Sequence, residues 1–133
     1  MLQPKKTKFR KFQKRTSEGV KYMQLNFGTF GLQALDCGHL SASCIEAARR
    51  AMSRKLKRTG QIWIRVFPDY GVSKKPAEVR MGKGKGQVDR WVCPVKKGQI
   101  LFELHGIPAS LAFQALQLAQ HKLPLKSQFI ESI

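Results

Sequence analysis

Three groups of residues have the type and spacing to do chemistry. The first is Arg80-Met81-Gly82-Lys83-Gly84-Lys85-Gly86, where glycine and lysine alternate behind an arginine. A glycine backbone can approach a phosphate chain closely, and each lysine can neutralise one phosphate. The same glycines make ordering costly, so the stretch reads as a mobile loop that orders on a polyanion. A phosphate-binding NTPase loop needs GxxxxGK followed by Ser or Thr. Here Gly82-x-Gly84-x-Gly86 is followed by Gln87, and the dinucleotide pattern GxGxxG fails as well. The second group, Cys37-x-His39 with Cys44, lacks a fourth ligand and has the wrong spacing for zinc, so these read as loop residues. The third, His105 and His121, lies far apart with no nucleophile, base and orienter to assemble. The expected chemistry is therefore binding: no enzyme, no cofactor, no metal and no small-molecule substrate.

Charge agrees with that reading. The 133 residues carry 25 Lys and Arg against 8 Asp and Glu, a net charge of +17, with 42% hydrophobic residues. That is a globular protein whose self-repulsion calls for a polyanionic partner. Residues 1–90 hold 21 of the basic side chains, so the last third is expected to pack and the first two thirds to meet the partner. The odd number of cysteines, with no CxxC pair, points away from a disulfide framework. No apolar run approaches a membrane span, so no membrane partner is expected.

The elements that must position these charges follow in order. Residues 1–15 form a basic arm, with Lys5, Lys6, Lys8, Arg10, Lys11, Lys14 and Arg15 interleaved with Phe9 and Phe12. Lysines there can track phosphates while the rings stack on bases or fold back on the domain. Residues 23–35 suggest one or two short strands, with close backbone approaches at Phe27-Gly28 and Phe30-Gly31. Ser41 or Ser43 opens a helix, Ser43 with Glu46 making a capping box, and Gly60 is the expected C-cap. Ile45, Ala48, Met52 and Leu56 form its apolar stripe. Arg49, Arg50, Arg54, Lys55, Lys57 and Arg58 cover the rest, a face to be pressed against phosphate.

A strand follows over 61–67, and Lys74 and Lys75 begin an excursion over about 74–90. Residues 90–95 return as a strand, turn at Lys97-Gly98, and pair as a hairpin with 99–104. A second helix spans 108–122, with Leu111, Ala115, Leu118 and Ala119 inward, and 125–130 makes a last strand. Trp63 and Trp91 read as core. The whole is one α+β domain over 1–133, two helices on a mostly antiparallel sheet.

Seven stretches form a recognisable series: MLQPKKTKFRK at 1–11, FGTFGLQAL at 27–35, IEAARRAM at 45–52, GQIWIRVFPD at 60–69, KPAEVRMGKGKG at 75–86, ILFELHGIP at 100–108 and KLPLKSQF at 122–129. Together they resemble the bacterial and organellar large-subunit ribosomal protein of the L sixteen family. The resemblance implies an α/β-hammerhead-type fold on large-subunit ribosomal RNA, beside aminoacyl-tRNA and neighbouring ribosomal proteins. It places the loop 80–86 toward the peptidyl transferase centre and gives the protein roles in subunit assembly and tRNA positioning. In some bacterial members the arginine matching Arg80 is hydroxylated.

This chain departs from the family pattern at 36–44. Asp36, Cys37, His39 and Ser43 replace residues that are usually basic, and the helix-opening box becomes Ser41-x-x-Cys44. Lost charge there suggests an organellar ribosome with remodelled neighbours. The match starts flush at Met1, which leads to the expectation of a copy made where it works. A mitochondrion encoding its own copy is expected, with a plastid or a bacterial cytoplasm as alternatives. A free-standing RNA-binding protein and an RNA- or nucleotide-processing enzyme are the competing function classes.

Overall fold

The computed structural model describes residues 3–13, 18–75, 77, 80, 82 and 84–132. In chain order the elements are β1 Phe30–Ala34, β2 Gly38–Ser41, α1 Ala42–Leu56, β3 Gln61–Ile64, β4 Tyr70–Ser73, β5 Val88–Val95, β6 Ile100–His105, α2 Ala109–Gln120 and β7 Ser127–Glu131. The fold is α+β, but its strands form two sheets rather than one. One has the order β3-β6-β1-β7, the other β2-β5-β4, and the ladders within both are antiparallel.

Strand β6 is central because both its faces are covered, and residues 100–104 are all buried. On its inner face Phe102 and Leu104 pair with Leu32 and Phe30. This face meets Ile45, Ala48, Met52 and Leu56 of α1 and Ala112, Ala115, Leu116 and Ala119 of α2 in one apolar cluster. The α1 stripe thus buries the four residues its spacing selected.

The outer face is covered by the chain itself. Gly31 and Trp63 both pair with Glu103 in register, and the segment 24–28 lies over them. A side chain at Gly31 would meet Leu25 Cδ2 at 2.4 Å, and one at Gly28 would meet the Leu104 carbonyl oxygen at 2.4 Å. The glycines of FGTFG are therefore there for close approach. Gly28→Ala is expected to push the segment off β6 and cost about 1–3 kcal/mol, the usual price of overpacking, read as a lower thermal midpoint.

Beneath that segment lies an acid that the apolar run at 100–104 hid. Glu103 is completely buried. Its Oε1 accepts the backbone N–H groups of Asn26, Phe27 and Gly28 at 2.9, 3.0 and 3.2 Å. Arg65 Nη1 stands 3.1 Å from Oε2, close enough for an ion pair but at an angle that leaves Oε2 without a hydrogen bond. The same nitrogen donates to the Gln24 carbonyl at 3.0 Å. Backbone and guanidinium form one staple around the buried carboxylate.

Several expectations need correction. Residues 38–41 are a strand, not loop, and β4 is a strand where the sequence suggests none. Strands β5 and β6 do not pair with each other; Lys97-Gly98 turns the chain from one sheet into the other. The predicted 61–67 strand stops at Ile64, and Leu118 faces outward while Leu116 is buried. The C-cap of α1 is Lys57, left-handed at φ 50 with its N–H on the Ser53 carbonyl. Gly60 serves instead where the chain crosses His105, whose carbonyl oxygen would lie 2.5 Å from an added Cβ. Both tryptophans are only half-buried.

Candidate nucleic-acid interface

The glycine–lysine stretch is the tip of the β4–β5 hairpin. Pairing runs from Tyr70↔Val92 to Ser73↔Val88, and the Lys74 N–H closes a last rung on the Gln87 carbonyl at 3.1 Å. The basic arm is fastened to the base of this hairpin by Phe12. Its ring meets Tyr70 and Trp91 edge-on, at centroid separations of 5.8 and 5.6 Å. The Tyr70 hydroxyl donates to the Gln13 carbonyl at 2.8 Å. Phe12 therefore packs back on the domain, whereas Phe9 stays exposed with Lys8 Nζ 5.6 Å from its ring centroid.

Arm and loop also touch directly. Lys11 Nζ donates to the Lys85 carbonyl at 2.6 Å, Lys85 Nζ donates to the Phe12 carbonyl, and Lys75 Nζ donates to the Gly82 carbonyl. The outcome is a groove of about 570 Å³ lined by Lys11, Lys74, Lys75 and Lys85 and by Gly82, Gly84 and Gly86. Asp89 is its acid. Gly82 and Gly84 hold φ of +107 and +89, with open space where a side chain would stand. In the sequence, arm and loop read as separate basic elements; the hairpin makes them one surface. Lys5, Lys6, Arg10 and Arg80 are exposed. Lys14, Arg15, Met81 and Lys83 lie outside the described residues.

Helix α1 holds its cations differently from expectation. The cap is Ser41, whose hydroxyl accepts the Cys44 N–H at 3.2 Å, so the Ser43–Glu46 box does not form. Glu46, in the second turn, instead accepts from Arg49 Nε at 3.0 Å and Arg50 Nε at 3.3 Å. The Arg49 hydrogen bond holds the Glu46 carboxyl below its ordinary value, and the same bond raises Arg49. Two of the predicted phosphate ligands are therefore partly neutralised. Arg54, Lys55 and Arg58 are exposed and make no ion pair among the described residues. Arg54 and Lys55 also sit in the last turn, where the helix dipole favours cations.

Two of the cysteines are held by the backbone and by burial. The Cys37 thiol donates to the Gly19 carbonyl at 3.1 Å, and burial pushes the Cys93 thiol up, keeping it protonated. Among the described residues no three His, Cys, Asp or Glu side chains are grouped to hold a metal, and no helix is long and apolar enough to cross a membrane.

A basic arm, a cationic hairpin and a single-sign helix end on a small α+β core present cations suited to the phosphates of a nucleic acid. Residues 4–130 match the family model described as "Ribosomal protein L16p/L10e". The chain belongs to that family. It is 56% identical over 135 residues to "Large ribosomal subunit protein uL16" of Beijerinckia indica, covering all of this chain and 98% of that one. The Aeromonas hydrophila protein of the same name is 54% identical over 98% of this chain and 96% of its own. "Large ribosomal subunit protein uL16m" of Prototheca wickerhamii is 57% identical over 98% of both chains. Membership of L16p/L10e makes this protein a structural component of the ribosome, in contact with ribosomal RNA and other ribosomal proteins, and not an enzyme.

Proposed function

We propose that this L16p/L10e protein is a constituent of the large ribosomal subunit that binds its RNA beside the aminoacyl-tRNA site. The loop 80–86 points toward the peptidyl transferase centre and helps seat tRNA, and the body supports subunit assembly. The observation that carries this reading is the union of arm and hairpin tip into one cationic groove. Lysine amines that lie on carbonyls of their own chain are placed to exchange them for phosphate oxygens. The contact set is Lys5, Lys6, Lys8, Arg10, Lys11, Lys14, Arg15, Lys74 and Lys75 from arm and hairpin. From α1 and its end it takes Arg54, Lys55 and Arg58, with Arg49 and Arg50 contributing less because Glu46 competes for them.

Charge reversal tests the helix part. Arg54→Glu with Arg58→Glu should weaken binding to large-subunit RNA across sequences. The log–log salt slope should flatten by about one unit per lost phosphate contact. The same pair of changes at Arg49 and Arg50 should flatten it less. Sedimentation tests the whole: the protein should travel with large subunits at physiological salt, and recovery only in free fractions would favour an RNA-binding protein acting off the ribosome.

A mitochondrial ribosome is the proposed location, with plastid and bacterial ribosomes as alternatives. Its support is the loss of basic residues at 36–44, together with a uL16m relative as similar as the bacterial ones. Immunoprecipitation of ribosomes from purified organelles, with co-purifying RNA sequenced, decides among them.

A further inference from the structure

The outer face of the four-stranded sheet carries aromatic rings that do not serve the core. Trp63, on the edge strand β3, stacks on Phe27 with centroids 5.9 Å apart and planes 24° from parallel. His105, at the end of the neighbouring strand, lies 6.4 Å from Trp63. The Arg65 guanidinium sits 5.6 Å from the Phe27 centroid. With these contacts made, Phe27 is still 57% exposed. Its backbone is nevertheless fixed, because the N–H groups of residues 26–28 grip the buried Glu103 carboxylate.

A rigid, exposed ring beside a guanidinium suits one occupant best. Planar bases of unpaired RNA stack on such faces, and cations beside them hold the backbone. The surrounding charge agrees. Around the β3 edge, Arg49 and Arg58 line a groove of about 290 Å³ with Ile62 and Ile64. A strand of RNA crossing that edge would place phosphate on one side and a base on the other.

We propose that Phe27, backed by Trp63 and Arg65, is a stacking platform for an unpaired RNA base, with the adjoining phosphates held by Arg58. The proposal rests on the RNA-binding reading above and extends it from phosphate contact to base contact.

The test uses the full-length protein with two probes, an octamer of oligoadenylate and a blunt RNA duplex. Phe27→Ala and Phe27→Leu should each weaken oligoadenylate binding about tenfold, the scale of one base–aromatic stack. Duplex affinity and the salt slope should not move. Phe27→Tyr keeps the ring and should bind like the parent. In a Trp91→Phe background, oligoadenylate should quench the remaining fluorescence of Trp63. Circular dichroism melts show that each variant is folded. Unchanged oligoadenylate affinity in Phe27→Leu, equal losses for both RNAs, or an unquenched Trp63 would overturn the platform alone. A parent protein that binds neither RNA would overturn the platform and the RNA-binding reading together.

Discussion

Glu103→Leu should destabilise the fold by about 3–5 kcal/mol, the range found when one partner of a buried charge pair is removed. Leucine fills much of the space but accepts nothing. Three backbone N–H groups, at residues 26, 27 and 28, would lose their acceptor at a part-buried site, where the stranded donors are costly. Arg65 would lose the carboxylate 3.1 Å away. For a chain of this length the thermal midpoint should fall by roughly 10–20 °C. Glu103→Gln should cost less, since an amide oxygen can still accept the three N–H groups while the charge toward Arg65 is gone. Adding Arg65→Met to the leucine variant should recover only part of the loss, because the backbone donors remain stranded. Chemical denaturation of the four proteins checks this. A leucine variant as stable as the parent would mean that the carboxylate is dispensable to the fold. The same staple fixes Phe27, so its loss should also lower affinity for single-stranded RNA.

Glu103 shows where the sequence stopped being legible. Its neighbours Leu101, Phe102 and Leu104 announce a buried strand, and an acid among them reads as the strand's wet face. Its partners are backbone amides about 75 residues away, and no side-chain pattern advertises an amide. Periodic elements were plain for the opposite reason. The α1 stripe and the span of α2 follow from spacing alone, because each helix must bury one face. Strands β2 and β4 are four residues each and sit among glycine, proline and polar neighbours, too short for an alternation to show. Lys97-Gly98 reads as a turn, but a turn does not say whether the next strand pairs with the last or leaves for another sheet. At the C-terminus of α1, Lys57 took the left-handed position that glycine usually fills, while Gly60 was needed where the chain crosses His105. For the interface, the charges could be counted in advance, but their convergence could not. Phe12 decides it, by binding the arm to Tyr70 and Trp91 at the foot of the hairpin.

Replacing residues 76–85 with Asn-Gly should leave the body folded and remove the function of its tip. Lys75 and Gly86 stand just past the Lys74–Gln87 rung, so a two-residue turn can close the ladder there. None of the described residues removed belongs to the core cluster, and shortening a flexible connection favours closure by only about 1 kcal/mol. The thermal midpoint should stay near that of the parent. The arm would lose its reciprocal contacts with Lys85 but keep Phe12 on Tyr70 and Trp91. RNA contacts of the arm and α1 remain, so entry into large subunits should be close to normal. Arg80, Lys83 and Lys85 would be gone, and with them the charge-assisted contacts proposed beside the aminoacyl-tRNA site. Two such contacts, at about 1.5 kcal/mol or slightly less each, correspond to roughly a hundredfold in binding, so accommodation of aminoacyl-tRNA should slow by at least about tenfold. Ribosomes assembled with the shortened protein allow both quantities to be measured on the same particles. Normal subunit content with slow accommodation is the expected result, and normal accommodation in those particles would remove the tip from tRNA seating. Poor incorporation instead would make the groove between arm and hairpin an assembly contact. The isolated protein separates the physical part: glycine amides at 82, 84 and 86 should exchange their hydrogens quickly when it is free. They should be protected on the ribosome, where phosphates screen the like-charged lysines and offset the cost of ordering a glycine backbone.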